Sequence, residues 1–223
     1  MGILRKILAF FFPERCPYCG ELIEAEDIAC DKCLKILKEK QQPILRGALG
    51  FRCVCSFVYD GKVRRMLIRI KYYDRVQHIR QAAQILAKDI RSCYSEIPFD
   101  LITSVPMHRI DRMERGYNQS AVLAKELSKM LDLPYADTLE KVKRTKKQHH
   151  LKYHERKKNL SGAFRVRDKQ IVSGRRILIV DDIVTSGYTL GTCCRTLARA
   201  KPRLICCAAI ANADSAIGKG AVI

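Results

Sequence analysis

The stretch at residues 177–189, which reads ILIVDDIVTSGYT, constrains this chain more than any other. Its first four residues are apolar, and continuous hydrophobicity of this kind is typical of a parallel strand that is buried on both faces. The strand is predicted to end at Val180, so Asp181 and Asp182 follow at its carboxyl end. Ligands bind at that end in open α/β sheets, because the loops there form a crevice lined by helix N-termini.

The residues that follow the two carboxylates are suited to holding an anion. Thr185, Ser186, Gly187 and Thr189 offer hydroxyls and flexible backbone N–H groups, and apolar residues then recur at helical spacing. A helix that begins near Tyr188 would direct its unsatisfied N–H groups and the positive end of its dipole at a phosphate. Carboxylates beside a phosphate cradle fit a ribose 5-phosphate. The alternative is a buried strand that merely ends in a helix cap.

The same stretch resembles, at every position, the signature of the type I phosphoribosyltransferases. The resemblance implies that Asp181 and Asp182 hold the ribose 2′- and 3′-hydroxyls of phosphoribosyl pyrophosphate, which is bound together with Mg²⁺. It also implies that the 5′-phosphate is bound by the loop residues Thr185, Ser186, Gly187, Tyr188 and Thr189.

The 223 residues suit one α/β domain with a small appendage. We expect an amphipathic start and zinc-knuckle segment over 1–43, a linker over 44–50, and a phosphoribosyltransferase-like domain over 51–223. No apolar run is long enough for a transmembrane helix. Residues 1–12 are basic and then apolar, and we interpret them as a short helix that packs on the body, with membrane-surface association as the alternative.

Four of the eleven cysteines are spaced like metal ligands. Cys16 with Cys19, and Cys30 with Cys33, form two C-x-x-C pairs, and two such pairs supply the four thiolates of a tetrahedral structural zinc site. A reducing, cytoplasmic location is expected, because the chain shows no secretory signal and such cysteines bind metal more often than they form disulfides there. Most other cysteines fit apolar core patterns, and the roles of Cys53 and Cys55 stay open.

The formal net charge of +19 favours a polyanionic partner. Nine Lys or Arg residues lie between positions 141 and 158. They belong to the segment 139–161, which has no clear periodicity and which we interpret as a mobile surface loop. Such a loop would close over pyrophosphate or neutralise the phosphates of a nucleic acid. The alternative is a solvated basic face. The residues assigned to DNA contact are Lys146, Lys147, Lys157 and Lys158.

A second phosphate-facing element is predicted at residues 101–131. A strand over 101–105 is followed by a basic loop that contains Gly116, and then by an apolar pattern of helical period. Other elements are predicted as strands over 53–59, 163–166 and 204–211, a turn at Asp60-Gly61, and a helix over 79–93.

Several blocks together narrow the resemblance to the ComF family of competence-associated proteins. They are YDGKVR at 59–64, IKY at 70–72, VPMH at 105–108, RGYNQ at 115–119 and the later signature. The resemblance implies a cysteine-rich zinc segment before a type I phosphoribosyltransferase-like parallel sheet flanked by helices. The pyrophosphate-side residues assigned in this way are Lys71, His108, Arg109 and Arg115.

Three functional hypotheses follow. The first is a glycosyltransferase-type enzyme that binds phosphoribosyl pyrophosphate and passes its phosphoribosyl group to an unidentified acceptor, with a role in DNA uptake and natural transformation. The second is a non-catalytic competence protein that binds single-stranded DNA and reuses the fold. The third is a metabolic phosphoribosyltransferase. The family resemblance also makes competence-machinery proteins possible partners. No residue stands out as a catalytic base.

Overall fold

A five-stranded sheet is the centre of the fold in the part of the chain that this computed structural model describes, namely residues 15–24, 27–40, 43–48, 50–72, 77–145 and 160–213. The strands, in chain order, are β1 (Ile44–Ala48), β2 (Phe51–Val58), β3 (Leu101–Ser104), β4 (Leu139–Lys141), β5 (Phe164–Val166), β6 (Arg176–Val184) and β7 (Leu204–Asn212). The sheet order is β1-β2-β7-β6-β3, and β4 pairs with β5. All neighbours in the main sheet are parallel except β1, which is antiparallel to β2.

Helices cover both faces of this sheet. Those within the described residues are α1 (Asp31–Lys40), α2 (Gly61–Tyr72), α3 (Gln77–Cys93), α4 (Arg109–Arg115), α5 (Gln119–Leu131), α6 (Lys169–Val172) and α7 (Tyr188–Ala198). Helix α3 buries one apolar face, as its periodicity predicts, through Ile79, Ala82, Ala83, Leu86 and Ile90. The predicted α/β architecture, a parallel sheet flanked by helices, is therefore confirmed.

Strand β6 separates two hydrophobic cores, because successive side chains of a strand point to opposite faces. Leu178 and Val180 join the core that also contains α3 and α5, whereas Ile177 and Ile179 join the core that contains α7. All four side chains are fully buried. This agrees with the prediction of a central strand buried on both faces.

The structure corrects four local predictions from the sequence. Residues 44–48, predicted as a linker, form β1, which pairs with β2 from Ile44 opposite Cys55 to Ala48 opposite Phe51. Gly61, predicted in a turn, begins α2. Basic residues 109–115 and residues 139–141, both predicted in loops, form α4 and β4. Elements β1, α4 and β4 are short, so they carry little apolar periodicity. The limits of the two predicted domains stay a prediction.

Candidate phosphoribosyl site and metal centre

The two carboxylates lie where β6 extends past its neighbour β3. Pairing between these strands ends at Ser104 opposite Val180, and the backbone N–H of Val105 donates to Val180 O at 2.9 Å. On its other side β6 remains paired with β7 as far as Val184. The strand was predicted to end at Val180, and this boundary is wrong because pairing with β7 continues. Asp181 and Asp182 nevertheless begin the part of β6 that has no β3 partner.

Asp181 is only 8% exposed and is held by two hydrogen bonds to one carboxylate oxygen. Ser120 Oγ donates to Asp181 Oδ1 at 2.8 Å, and the backbone N–H of Asp182 donates to the same oxygen at 2.9 Å. Burial raises the pKa of Asp181 well above its usual range, and the nearby charge of Asp182 raises it further. The hydrogen bond from Ser120 opposes this by favouring the ionised form.

Asp182 is half-buried and lines the same cleft. The backbone N–H of Ile183 donates to Asp182 Oδ1 at 2.9 Å, which fixes the orientation of this carboxylate. Together the two residues offer adjacent acceptors at the edge of the sheet, and vicinal hydroxyls of a sugar are donors that match such a pair.

The loop after β6 leads into α7 through Gly187, whose φ of 72° lies in the left-handed region that favours glycine. The first N–H groups of any helix lack intrahelical acceptors, so the start of α7 offers donors to an anion. Thr189 lines the cleft, Thr185 is exposed, and Ser186 Oγ is buried without a hydrogen-bond partner among the described residues. An unpartnered buried hydroxyl fits a loop that binds an oxyanion.

Tyr188 differs from its loop neighbours because its side chain belongs to the protein core. It is 6% exposed and joins the core that contains Leu190, Cys193 and Leu197. Thr192 Oγ1 also donates to Tyr188 O at 2.6 Å. The backbone N–H of Tyr188, at the start of α7, is thus the part that is suited to contact a phosphate.

A cleft of about 240 Å³ opens over these residues. Asn118 stabilises its wall, since its side chain donates to Val105 O at 3.0 Å and accepts from the backbone N–H of Ser120 at 3.2 Å. The side-chain nitrogen of the adjacent, buried Gln119 has no hydrogen-bond partner within the described part of the chain. The charged residues that line the cleft are Asp111, Arg115, Lys141, Asp181 and Asp182.

Lys141 and Arg115 supply positive charge opposite the carboxylates. Burial lowers the pKa of Lys141, whereas the negative charge of Asp111 raises it and the nearby Arg115 lowers it. Lys141 was noted in the sequence only as the first residue of the basic run, and Ser120 was not identified. No sequence signal marks Ser120, since its role depends on the approach of α5 to β6.

His108 and Arg109, two of the other residues assigned to the pyrophosphate side, are not among those lining the cleft. His108 is half-buried and caps α4, with its Nδ1 accepting from the backbone N–H of Ile110 at 3.3 Å. Arg109 is exposed in the first turn of α4. Lys71 belongs to α2, but its side chain lies outside the described part of the structure.

The ends of the basic segment flank the cleft. Thr145 and Leu160 both line it, and Arg144 bonds across to α4, with contacts of 3.2 Å to Asp111 and 2.7 Å to Glu114. The residues assigned to DNA contact, Lys146, Lys147, Lys157 and Lys158, lie outside the described residues.

The four cysteines predicted as metal ligands come together. The Sγ atoms of Cys16, Cys19, Cys30 and Cys33 all lie within 4.8 Å of one another. Zn–S bonds of about 2.3 Å in a tetrahedron require S···S distances of roughly 3.8 Å, so the cluster fits a structural metal ion. Burial raises the pKa of Cys16, but backbone N–H groups of Cys30, Cys19 and Tyr18 outweigh it and bring this pKa to about 7.

The cysteine segment is fixed to α2 and α3 by side chains that bind its backbone carbonyls. Arg69 donates to the carbonyls of Cys16 and Pro17 at 3.1 and 3.2 Å, and Gln81 donates to Asp27 O at 2.8 Å. Lys62 Nζ lies 3.3 Å from Cys33 Sγ. The cysteine segment therefore shares its packing with α2 and α3.

Cys53 and Cys55 lie on β2 and are fully buried in the core that contains α7, with their sulfur atoms 3.9 Å apart. Cys194 and Cys207 make a similar buried contact at 3.4 Å. Among the described residues, only the Cys16 cluster brings metal-ligating side chains close enough together to hold an ion. None of the helices in that part of the chain combines the length and hydrophobicity needed to cross a membrane.

Comparisons with known proteins agree with this arrangement. The phosphoribosyl transferase domain family matches residues 118–220, which include the cleft residues from Asn118 onward. DNA utilization protein YhgH of Salmonella typhimurium is 31% identical over 189 residues, which cover 82% of this chain and 78% of that protein. Competence protein F of Haemophilus influenzae is 28% identical over 194 residues, covering 85% of this chain and 79% of that protein.

One solved structure with a similar fold is the glutamine phosphoribosylpyrophosphate amidotransferase from B. subtilis, complexed with ADP and GMP. It aligns with a TM-score of 0.43 at 19% identity, and the alignment covers 64% of this chain and 30% of that chain.

Proposed function

The chain belongs to the family of DNA utilization protein YhgH and competence protein F (ComF), and from this premise we propose that it binds phosphoribosyl pyrophosphate and acts in DNA uptake during natural transformation. The relatives' names support the DNA-related role. The matching phosphoribosyl transferase domain supports the ligand. A cytoplasmic location remains part of the proposal.

One observation carries the proposed ligand. Adjacent carboxylates, Asp181 and Asp182, share a single cleft with Thr189, which belongs to the first turn of α7. A ligand that satisfies both features must carry vicinal hydroxyls and, at a short distance from them, a phosphate. The 5-phosphoribosyl group has both.

The remaining contacts are assigned from the same cleft. In the proposed complex, the 5′-phosphate accepts hydrogen bonds from Thr185, Ser186, Gly187, Tyr188 and Thr189, which would supply a partner for the buried Ser186 hydroxyl. The pyrophosphate lies toward Arg115 and Lys141, which are the cations among the described residues that line the cleft. The unpartnered amide nitrogen of Gln119 is a further donor for it.

Two metals belong to this proposal. Zinc would be held by Cys16, Cys19, Cys30 and Cys33, whose soft thiolates and tetrahedral spacing suit it. Mg²⁺ prefers oxygen ligands, and Asp182 offers a carboxylate in the cleft. When bound with the ligand, Mg²⁺ would neutralise part of the charge of the leaving pyrophosphate.

Transfer of the phosphoribosyl group to an acceptor is the catalytic form of the proposal. The contribution of this chain would be positioning and electrostatics, because Asp181 and Asp182 orient the sugar while Lys141 and Arg115 stabilise charge that develops on pyrophosphate. Release of pyrophosphate from labelled donor, measured with pools of bases and amines, tests turnover and identifies the acceptor. A metabolic phosphoribosyltransferase is the variant of this proposal without a DNA-related role.

Isothermal titration with Mg²⁺ and phosphoribosyl pyrophosphate tests the binding site. We expect Asp181→Asn/Asp182→Asn to abolish binding and to leave the circular dichroism spectrum unchanged. A matched control, Asp31→Asn/Glu96→Gln, removes the same charge from two exposed positions and should bind like the wild type. Equal affinity of the double Asp181/Asp182 variant and the wild type would refute the assignment.

The net charge favours a second candidate function. A charge of +19 exceeds what one phosphoribosyl ligand requires, so a non-catalytic protein that binds single-stranded DNA is the alternative. Its association with competence-machinery proteins would follow from the same role. Consumption of the donor separates the two functions, since the fold alone does not establish chemistry.

A further inference from the structure

The edge of the sheet opposite the cleft carries a group of basic residues on two linked loops. Arg175 precedes β6 and Arg203 precedes β7, and these strands are parallel neighbours. The backbone N–H of Arg203 donates to Arg175 O at 2.9 Å, and that of Gly174 donates to Lys201 O at 2.9 Å. The backbone is therefore fixed, and both arginines line a pocket of about 400 Å³ with Asp100, Ser173, Gly174 and Arg176.

Asp100, the only carboxylate among the described residues that line this pocket, already accepts hydrogen bonds from Arg176. Asp100 accepts from Arg176 Nη2 at 2.6 Å, from Arg176 Nε at 2.9 Å and from the backbone N–H of Arg176 at 2.8 Å. These contacts lower the pKa of Asp100 below its usual range, with a smaller contribution from Arg175. Asp100 therefore stays ionised and committed to Arg176.

The neighbouring cations have no such counterion. Arg175, Arg199, Lys201 and Arg203 are exposed, and none of them takes part in a salt bridge within the described residues. Lys201 also has a φ of 55°, in the left-handed region where glycine or asparagine is favoured, so a lysine at this position carries a conformational cost. Unpaired like charges on a rigid backbone are suited to bind an anion.

This group is remote from the phosphoribosyl cleft. Arg176 and Asp181 are five residues apart on β6, which corresponds to roughly 17 Å at about 3.3 Å per residue. That distance is about twice the Debye length of about 8 Å at physiological ionic strength. The cations at this edge therefore cannot serve the pyrophosphate in the cleft.

We propose that Arg175, Lys201 and Arg203 form a second phosphate-binding surface, which takes the phosphodiester backbone of single-stranded DNA. None of the described residues that line the pocket is aromatic, so they offer bases no platform for stacking and the contact would be independent of sequence. The inference rests on the proposed DNA-related function, and it adds a site apart from the basic run at residues 141–158.

Fluorescence anisotropy of a labelled oligo-dT across a salt series tests this surface. Log K falls with log salt at a slope of about −0.7 for each neutralised phosphate of a single strand, so Arg175→Gln/Lys201→Gln/Arg203→Gln should make the slope less steep by about 2. Arg175→Lys/Arg203→Lys keeps the charge and should retain the wild-type slope. Lys32→Gln/Lys35→Gln/Lys88→Gln, a control at exposed helix positions, should change the slope far less.

Several results would overturn the inference. The first is a salt slope in the triple Gln variant that equals the wild-type slope. The second is an equal change of the slope in the Lys32 control. The third is a triple Gln variant that loses affinity for anionic vesicles or poly-glutamate but not for oligo-dT. Titration of phosphoribosyl pyrophosphate in the same preparations distinguishes a failure of the second phosphate-binding surface from a failure of the proposed function. If the wild-type protein binds phosphoribosyl pyrophosphate but no DNA at low salt, the second phosphate-binding surface alone is refuted. If the triple Gln variant changes the salt slope but the wild type does not bind phosphoribosyl pyrophosphate, the assignment of the cleft alone is refuted.

Discussion

Ser120 Oγ, on α5, donates a 2.8 Å hydrogen bond to the carboxylate of Asp181, on β6. Ser120 lies in the first turn of α5, where Asn118 caps the helix, and Asp181 lies where β6 extends past its neighbour β3. The bond therefore fixes the buried carboxylate relative to a helix N-terminus. It also favours the ionised form of a group whose burial favours the protonated one.

The first prediction is that Asp181→Asn stabilises the protein while it abolishes binding of phosphoribosyl pyrophosphate. The pKa of Asp181 is raised in the folded state, so between its unfolded value of about 4 and its folded value the native protein binds more protons. Stability therefore falls as pH rises through this window. Asparagine cannot ionise, so above the window the variant should gain about 1.4 kcal/mol per unit of pKa shift removed.

Thermal unfolding at several pH values measures this gain. We expect the melting temperature at pH 8 to rise by about 2–4 °C for each kcal/mol, and the difference from wild type to shrink as pH falls below the pKa of Asp181. Glu96→Gln removes a charge from an exposed position and should shift nothing. A variant less stable than wild type at pH 8 would show that the Asp181 carboxylate is not strained by burial.

The second prediction is that affinity for phosphoribosyl pyrophosphate falls at alkaline pH as Lys141 loses its charge. Burial lowers the pKa of Lys141, so its charge is lost as pH rises through that lowered value, and affinity for an anion should fall with it. Arginine stays charged throughout, so Lys141→Arg should retain affinity where the wild type loses it. Calorimetric titration of phosphoribosyl pyrophosphate between pH 7 and pH 10 measures this, since phosphates with a pKa near 6 are ionised throughout.

Two results would count against this role of Lys141. One is a wild-type affinity that stays flat over the alkaline range. The other is a parallel decline of affinity in wild type and Lys141→Arg. Lys129→Arg is a matched control, because Lys129 is an exposed residue of α5 that pairs with Glu126 at 2.6 Å and does not line the cleft.

The sequence predicted those parts of the fold in which local pattern and tertiary environment agree. The apolar run before Asp181 gave a buried strand, and Tyr188 begins the predicted helix. Helix α2 was missed although its buried residues Val63, Met66, Leu67 and Ile70 recur at the i, i+3, i+4, i+7 spacing of a helix, so this element could have been predicted. Strand β1 was missed because five residues carry too little pattern and depend on β2 for pairing.

The same distinction applies to the site. The cysteine pairs were predictable, because each C-x-x-C places two thiolates in one turn and the four sulfurs do meet. Ser120 and Lys141 were not assigned to the cleft, because nothing local distinguishes a ligand-facing serine or lysine from a solvated one. Their roles arise from contacts that link positions 61 and 40 residues apart to Asp181.

The third prediction is that the protein, purified without chelator, contains about one zinc per chain. Cys16 and Cys33 belong to the same hydrophobic core as Ile79 of α3, so removal of the metal should also lower the melting temperature. Metal analysis by mass spectrometry and thermal unfolding before and after chelation measure both effects. Cys16→Ser/Cys30→Ser should lose the zinc.

Cys93→Ser is the control for this experiment, because Cys93 is a half-buried thiol outside the cluster. It should keep its zinc and respond to chelator like the wild type. Less than half an equivalent of zinc in the wild type would refute the zinc assignment, as would full occupancy in Cys16→Ser/Cys30→Ser.

The fourth prediction is that the basic run contributes to binding of single-stranded DNA independently of the carboxylates in the cleft. A polyanion responds to summed surface charge, whereas one phosphoribosyl group needs only local donors. Replacing Lys146, Lys147, Lys157 and Lys158 by Gln should make the slope of log K against log salt less steep by up to about 3, at about 0.7 per phosphate. All DNA sequences should be weakened about equally.

Thr145 and Leu160, the described residues that precede and follow these lysines in the chain, both line the cleft. A test of this prediction needs a variant that separates the binding of DNA from the binding of phosphoribosyl pyrophosphate. Asp181→Asn/Asp182→Asn should abolish binding of phosphoribosyl pyrophosphate and leave the salt slope for oligo-dT unchanged, because carboxylates neutralise no phosphates. Anisotropy that is insensitive to salt in the wild type, or undetectable even at low ionic strength, would leave the charge of +19 without a nucleic-acid role. The phosphoribosyl cleft alone would then define the function, as a metabolic transferase.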